Sequence, residues 1–149
     1  MQNRAKKTKA AAFQKITDDK ARAFMGDIFA RWNPDVRAAD ETDESTINMY
    51  DVIGENFWTG GGITAKTVSS TLRANKGKAV TVNINSPGGD FFEGLAIYNL
   101  LKEHDGEITV RIVGMAASAA SVIAMAGDTV KVAEAGFVMI HNAWHVCVG

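Results

Sequence analysis

One cysteine in 149 residues, Cys147, leaves nothing for an intrachain disulfide to close. A disulfide-stapled secreted scaffold is therefore excluded, and a reducing compartment such as the cytoplasm is permitted. Long apolar runs are lacking too: none approaches the roughly 20 residues that span a bilayer. The opening stretch MQNRAKKTKAAAF is basic but has neither the apolar core nor the cleavage site of a secretory signal. Charge of one sign is also absent. Sixteen basic and 17 acidic residues give a formal net charge of −1, so no global field favours nucleic acid or an anionic membrane surface. Arg4, Lys6, Lys7 and Lys9 read as a solvated tail. What remains is a 46% hydrophobic chain long enough for one domain with a core.

Two regions differ in character. Residues 1–45 are highly charged, and Phe13, Ile16, Phe24 and Ile28, with Met25, Phe29 and Trp32 one residue along, recur at helical spacing. Asn33-Pro34 ends that helix, because the residue before a proline is pushed out of the α region. DVRAADETDES then reads as an acidic linker. Residues 1–45 are thus an extension whose one amphipathic helix needs a partner surface, and 46–149 form the core.

From Thr46 onward strand and helix signals alternate. TINMYDVI is strand-like, and TAKTVSSTLRAN is helical with Thr64 as its N-cap. KAVTVNIN alternates as a strand, and FFEGLAIYNLLKEH is a helix that Gly106 should cap. EITVRIVG is the next strand; SAASVIAMAG is a short helix closed by Gly127; DTVKVA and GFVMIH are strands. The period of about 25–30 residues is that of βαβ units, which predicts an α/β fold with parallel strands.

Sites in such sheets form beyond the carboxyl ends of strands, and three segments belong there. NSPGGD (Asn85–Asp90) reads either as a tight turn or as a loop whose bare N–H groups face a developing oxyanion. In VGMAASAASVIAMAGD, Ser118 and Ser121 lie three apart on the short helix. Both suit close packing, but Ser118 stands at the helix start, where free N–H groups favour negative charge. It is the better nucleophile, with the N–H of Ala119 facing the oxyanion; Ser121 is structural. His141, ending FVMIH at the same sheet edge, is placed to take the serine proton, although a lone histidine at a strand end also fits a purely structural role. His104 reads as a solvated cation at a helix end, and His145 gives no reading. TGGGI lacks the lysine of a phosphate loop and is a plain loop.

NINSPGGDFFEGLAIYN, GMAASAAS and VMIHNAW together resemble the ClpP family of serine peptidases. The HNAW form resembles in particular the ClpP-like head-maturation (prohead) proteases of tailed bacteriophages. The likeness covers roughly Ile47 to Trp144. It implies a ClpP/crotonase-like spiral of ββα units, with Ser118 as nucleophile and His141 as base. Gly89 and Ala119 would supply the oxyanion N–H groups. No metal and no organic cofactor are implied. The expected partners are copies of the same chain in a ring, with phage scaffold and capsid proteins as substrates, and the expected location is the host cytoplasm or procapsid. Ala120 and Asn142-Ala143 depart from the Gly and Gln-Pro of ClpP itself. The family's triad acid and its strand–helix handle lie well downstream of the histidine, and this sequence stops eight residues after His141. Both are expected on a longer chain, and weak or no peptidase activity is expected of these 149 residues alone. Two alternatives follow: a catalytically impaired, protease-derived capsid assembly or scaffold protein, and a crotonase-type acyl-CoA enzyme, which shares the spiral without needing a serine–histidine pair.

Overall fold

A computed structural model describes residues 18–32, 43–55 and 61–142. Its elements run α1 (Asp18–Arg31), β1 (Thr46–Met49), α2 (Ala65–Ala74), β2 (Val80–Ser86), α3 (Phe91–Lys102), β3 (Ile108–Ala117), α4 (Ala119–Ala124), β4 (Thr129–Val132) and β5 (Phe137–Met139). Every strand pairing is parallel, in the order β1-β2-β3-β4, with β5 also on β3. The fold is mixed α/β, as the alternation of signals predicts. Among the described residues no helix is long and apolar enough to cross a membrane.

Alternation within the strands sends Val80, Val82, Ile84, Ile108, Val110 and Ile112 to one face, all at most 1% exposed. Val68 and Leu72 of α2, Ile97 and Leu101 of α3, and Ile123 of α4 close over them as one core. The other face is polar along β1 to β4: Thr46, Thr81, Thr109 and Thr129 align in register, and Asn48, Asn83, Arg111 and Lys131 form the next row. Only toward the carboxyl end of β3 does this face turn apolar. There Ala117 and Met139 form a small second cluster against Met115 and Ile28 of α1. Ile28 of the N-terminal stripe thus packs on this cluster; Phe13 and Ile16 of the same stripe lie outside the described residues.

Local chemistry sets the ends of the elements. Thr64 caps α2 with a reciprocal pair of bonds to Thr67, a capping box. Asn75, at the other end of α2, donates from Nδ2 to the carbonyls of Glu44 (2.7 Å) and Thr71 (3.0 Å), tying α2 to the approach to β1. On that approach, hydrogen bonds from the Ser45 amide and hydroxyl hold the Asp43 carboxyl below the usual carboxylate range.

Two glycines expected as helix caps do other work. Helix α3 ends on Glu103 and α4 on Met125, and neither Gly106 nor Gly127 takes a positive φ. Gly106 lies where a Cβ would strike the Lys78 carbonyl, and Gly127 where one would come 2.8 Å from Val110 Cγ2. Both glycines permit close approach. His104, just beyond the end of α3, bonds through Nε2 to the Lys78 carbonyl at 2.8 Å.

Candidate active site

Strand β3 runs further than its alternation suggests. From Ile84↔Ile112 to Ser86↔Ala116, β2 advances two residues while β3 advances four, so β3 bulges around Gly114. Asn85 fills the bulge, its Oδ1 accepting the Met115 N–H at 3.0 Å. A Cβ at Gly114 would lie 2.5 Å from that same oxygen, so any side chain there would have to displace the Asn85 amide from the bulge. Before the bulge the far edge of β3 pairs with β4 over Thr109–Ile112; after it, with β5 over Met115–Ala117. The bulge therefore passes β3 from one neighbour to the next and brings its carboxyl end beside that of β5.

Ser118 leaves β3 and His141 leaves β5 at this shared edge. The Ser118 N–H donates to the Met139 carbonyl at 2.9 Å, extending the ladder by one bond. Ser118 takes φ 53° and ψ −123°, the one non-glycine positive φ among the described residues. Such a conformation costs about 1–3 kcal/mol and persists only where surroundings impose it. Here the Ser118 carbonyl accepts from the Ser121 amide (2.9 Å) and from Ser121 Oγ (2.6 Å). Ser121, 4% exposed, is thereby part of the turn that holds Ser118.

The Ser118 hydroxyl occupies the N-cap position of α4 yet makes no capping bond. It meets His141 Nε2 at 2.8 Å. On the other side of the ring, His141 Nδ1 lies 2.7 Å from the Asn142 carbonyl oxygen. A carbonyl only accepts, so Nδ1 carries the proton, and Nε2 of the neutral ring is left to accept from the serine. A hydroxyl bonded to an imidazole that a third group orients is the arrangement nucleophilic catalysis requires.

The glycine loop lies against this pair. At Gly88 (φ 90°) a Cβ would come 2.5 Å from the Ala117 carbonyl oxygen, 2.8 Å from Ser118 Cβ and 3.0 Å from the Ala119 nitrogen. The N–H of Gly89 has no acceptor among the described residues, and that of Ala119, first in its helix, has no intrahelical one. Asp90 turns its carboxylate to the Glu93 N–H (2.9 Å) as the N-cap of α3, and Asp128 gives its own to the Ile108 N–H (2.8 Å). Neither acid orients His141. His145 and Cys147 lie outside the described residues.

Residues 61–149 match the family model described as Clp protease. The chain belongs to that family. Among curated relatives it is 38% identical over 68 residues to an ATP-dependent Clp protease proteolytic subunit of Bacteroides fragilis, covering 43% of this chain and 33% of that one. It is 46% identical over 54 residues to the corresponding subunit of Ligilactobacillus salivarius, covering 36% and 27%. The chain thus spans about a third of the length of the curated relatives it matches. Among solved structures, ClpP1 from Listeria monocytogenes aligns with a TM-score of 0.47 at 27% identity, over 57% of this chain and 48% of that one.

Sequence reasoning brought Ser118, His141, Gly89 and Ala119 to one sheet edge but missed three features: the strained φ of Ser118, the Asn142 carbonyl, and the bulge at Gly114. The glycine in IVGMAA was the only local signal for the last. The other two are backbone features, a torsion at Ser118 and a carbonyl at the residue after His141, and no side-chain identity encodes them.

Proposed function

We propose that this Clp protease family member is a serine endopeptidase in which Ser118 is the nucleophile and His141 the general base. The 2.8 Å contact between Ser118 Oγ and His141 Nε2 carries the reading. Ser118 Oγ attacks the scissile carbonyl carbon as its proton passes to Nε2. The carbonyl oxygen becomes an oxyanion facing the N–H groups of Gly89 and Ala119. Collapse expels the amine, which leaves with the proton from His141, and an acyl-serine remains. Water, deprotonated by the same Nε2, then releases the acid and restores the hydroxyl.

Treatment with a fluorophosphonate followed by peptide mapping tests this directly. The adduct is expected on Ser118 and absent from Ser118→Ala. An adduct on Ser121 alone overturns the assignment.

The third partner of the imidazole is a neutral carbonyl, which orients the ring but stabilises imidazolium less than a carboxylate would. In a serine protease triad, neutralising the acid lowers turnover by about 10⁴-fold. Labelling at Ser118 with very slow peptide turnover is therefore the expected behaviour of these 149 residues. The HNAW form after the strand supports a narrower setting: a prohead protease that cleaves scaffold and capsid proteins during head maturation in a bacterial host, assembled as a homo-oligomeric ring. Co-incubation with the scaffold protein, with and without Ser118→Ala, checks it; intact scaffold in both arms favours an assembly role without catalysis.

A further inference from the structure

Three successive amides lead from β2 into α3, and their fates differ. The Gly88 N–H donates to Ser86 Oγ at 3.1 Å, and the Asp90 N–H donates to the Ile53 carbonyl at 2.9 Å. Between them the Gly89 N–H stays uncommitted among the described residues. The Gly88 carbonyl is held as well, accepting the Ile53 N–H at 2.9 Å. Gly88 and Gly89 adopt φ 90° and 150°. Glycine offers little torsional resistance of its own, so these hydrogen bonds fix where the free N–H points.

Ser86 is the only side chain in the set. It is fully buried (0% exposed), and its hydroxyl donates to the Asp51 carbonyl at 2.7 Å while accepting from Gly88. One side chain thus ties the segment after β1 to the glycine loop. Gly88 packs against the Ala117 carbonyl, the Ser118 Cβ and the Ala119 nitrogen, so any shift of its peptide plane alters the spacing between the Gly89 N–H and Ser118 Oγ.

We infer that Ser86 is a positioning residue for the oxyanion site: it withholds the Gly88 N–H and thereby leaves the Gly89 N–H as the loop's donor. The inference rests on the peptidase reading above, because Gly89 matters only if an oxyanion forms beside it. Removing the hydroxyl strands the buried Gly88 N–H, and the loop recovers a partner for it only by rotating. The effect belongs to bond formation and not to ligand binding.

The test uses fluorophosphonate inactivation of the unsubstituted protein, Ser86→Ala and Ser86→Cys, resolving reversible binding from the covalent step, with thermal unfolding as the check on folding. Losing an oxyanion donor outright costs about 10²–10³-fold. Mispositioning one is expected to slow the covalent step about tenfold or more in Ser86→Ala, with reversible binding unchanged. Ser86→Cys, whose thiol is a weak donor and acceptor, should recover part of the loss. A second readout needs no variant: on phosphonylation of Ser118, the Gly89 amide proton should move strongly downfield while that of Gly88 stays in place. A shift at Gly88 instead, or an equal covalent rate in Ser86→Ala, overturns the role of Ser86 alone. Failure of the unsubstituted protein to label at Ser118 overturns the peptidase reading and this inference together.

Discussion

Ser118 combines a hydroxyl bonded to His141 with a backbone conformation that serine has no reason to choose. Its turn is held from both sides, by Met139 through its N–H and by Ser121 through its carbonyl. That leaves the hydroxyl free of capping duty. The same crowding makes Gly88 intolerant of change. Gly88→Ala would set a methyl 2.5 Å from the Ala117 carbonyl oxygen at a φ of 90°. It is expected to destabilise the protein by about 1–3 kcal/mol or more and to abolish labelling of Ser118; urea unfolding and the labelling assay together check this. At this scale the sequence was informative about which residues meet. Small side chains around Ser118, paired glycines after a strand and a histidine at a strand end all point to one edge. It could not reveal the φ of Ser118 or the carbonyl that sets the tautomer of His141, because neither leaves a mark on side-chain identity.

At the scale of elements, the legible parts were those with local causes. Helix α2 follows from Thr64, a helical run and a capping box, and β2 follows from alternation. Thr64→Ala should lower stability by about 1 kcal/mol, a few degrees in Tm, without altering labelling at Ser118; a larger loss would mean that Thr64 does more than cap. The misjudged ends had remote causes. Strand β3 continues to Ala117 because β5 offers it a second partner, and a strand cannot show in its own residues who will pair with it. Gly106 and Gly127 mislead because glycine after a helix has two explanations. The alternative, close approach of another segment, appears only when the segments are brought together.

For the whole molecule, the helical layer on one face and the polar rows on the other were implicit in the alternation of β2 and β3. The position of α1 was not, since its stripe specifies a need for cover but no address. The structure gives one: Ile28 against Met115, Ala117 and Met139, the residues just before Ser118 and His141. Residues 1–45 are proposed as an arm and 46–149 as the core. Deleting the arm should leave cooperative unfolding in place while uncovering Met139. Sedimentation velocity should then show a changed distribution of oligomers, promoted by the apolar side chains already exposed nearby, such as Phe137 (47%) and Ile140 (75%). Loss of cooperative unfolding would place α1 within the core instead.

The handover of β3 from β4 to β5 divides the site between two levels of durability. Ser118 is anchored at the end of the longest strand, whose first half is enclosed by β2 and β4. His141 hangs from a three-residue strand with a largely exposed face. Fraying of β5 would carry the histidine away and leave the serine on an intact sheet. Amide hydrogen exchange should therefore be faster at Ser118, bonded to the Met139 carbonyl, than at Val110 in the enclosed half. On warming, reaction at Ser118 should fade below the temperature at which circular dichroism reports unfolding. The proposed catalyst would switch off by losing its histidine while the fold is still standing, and cooling would restore it without any refolding of the core.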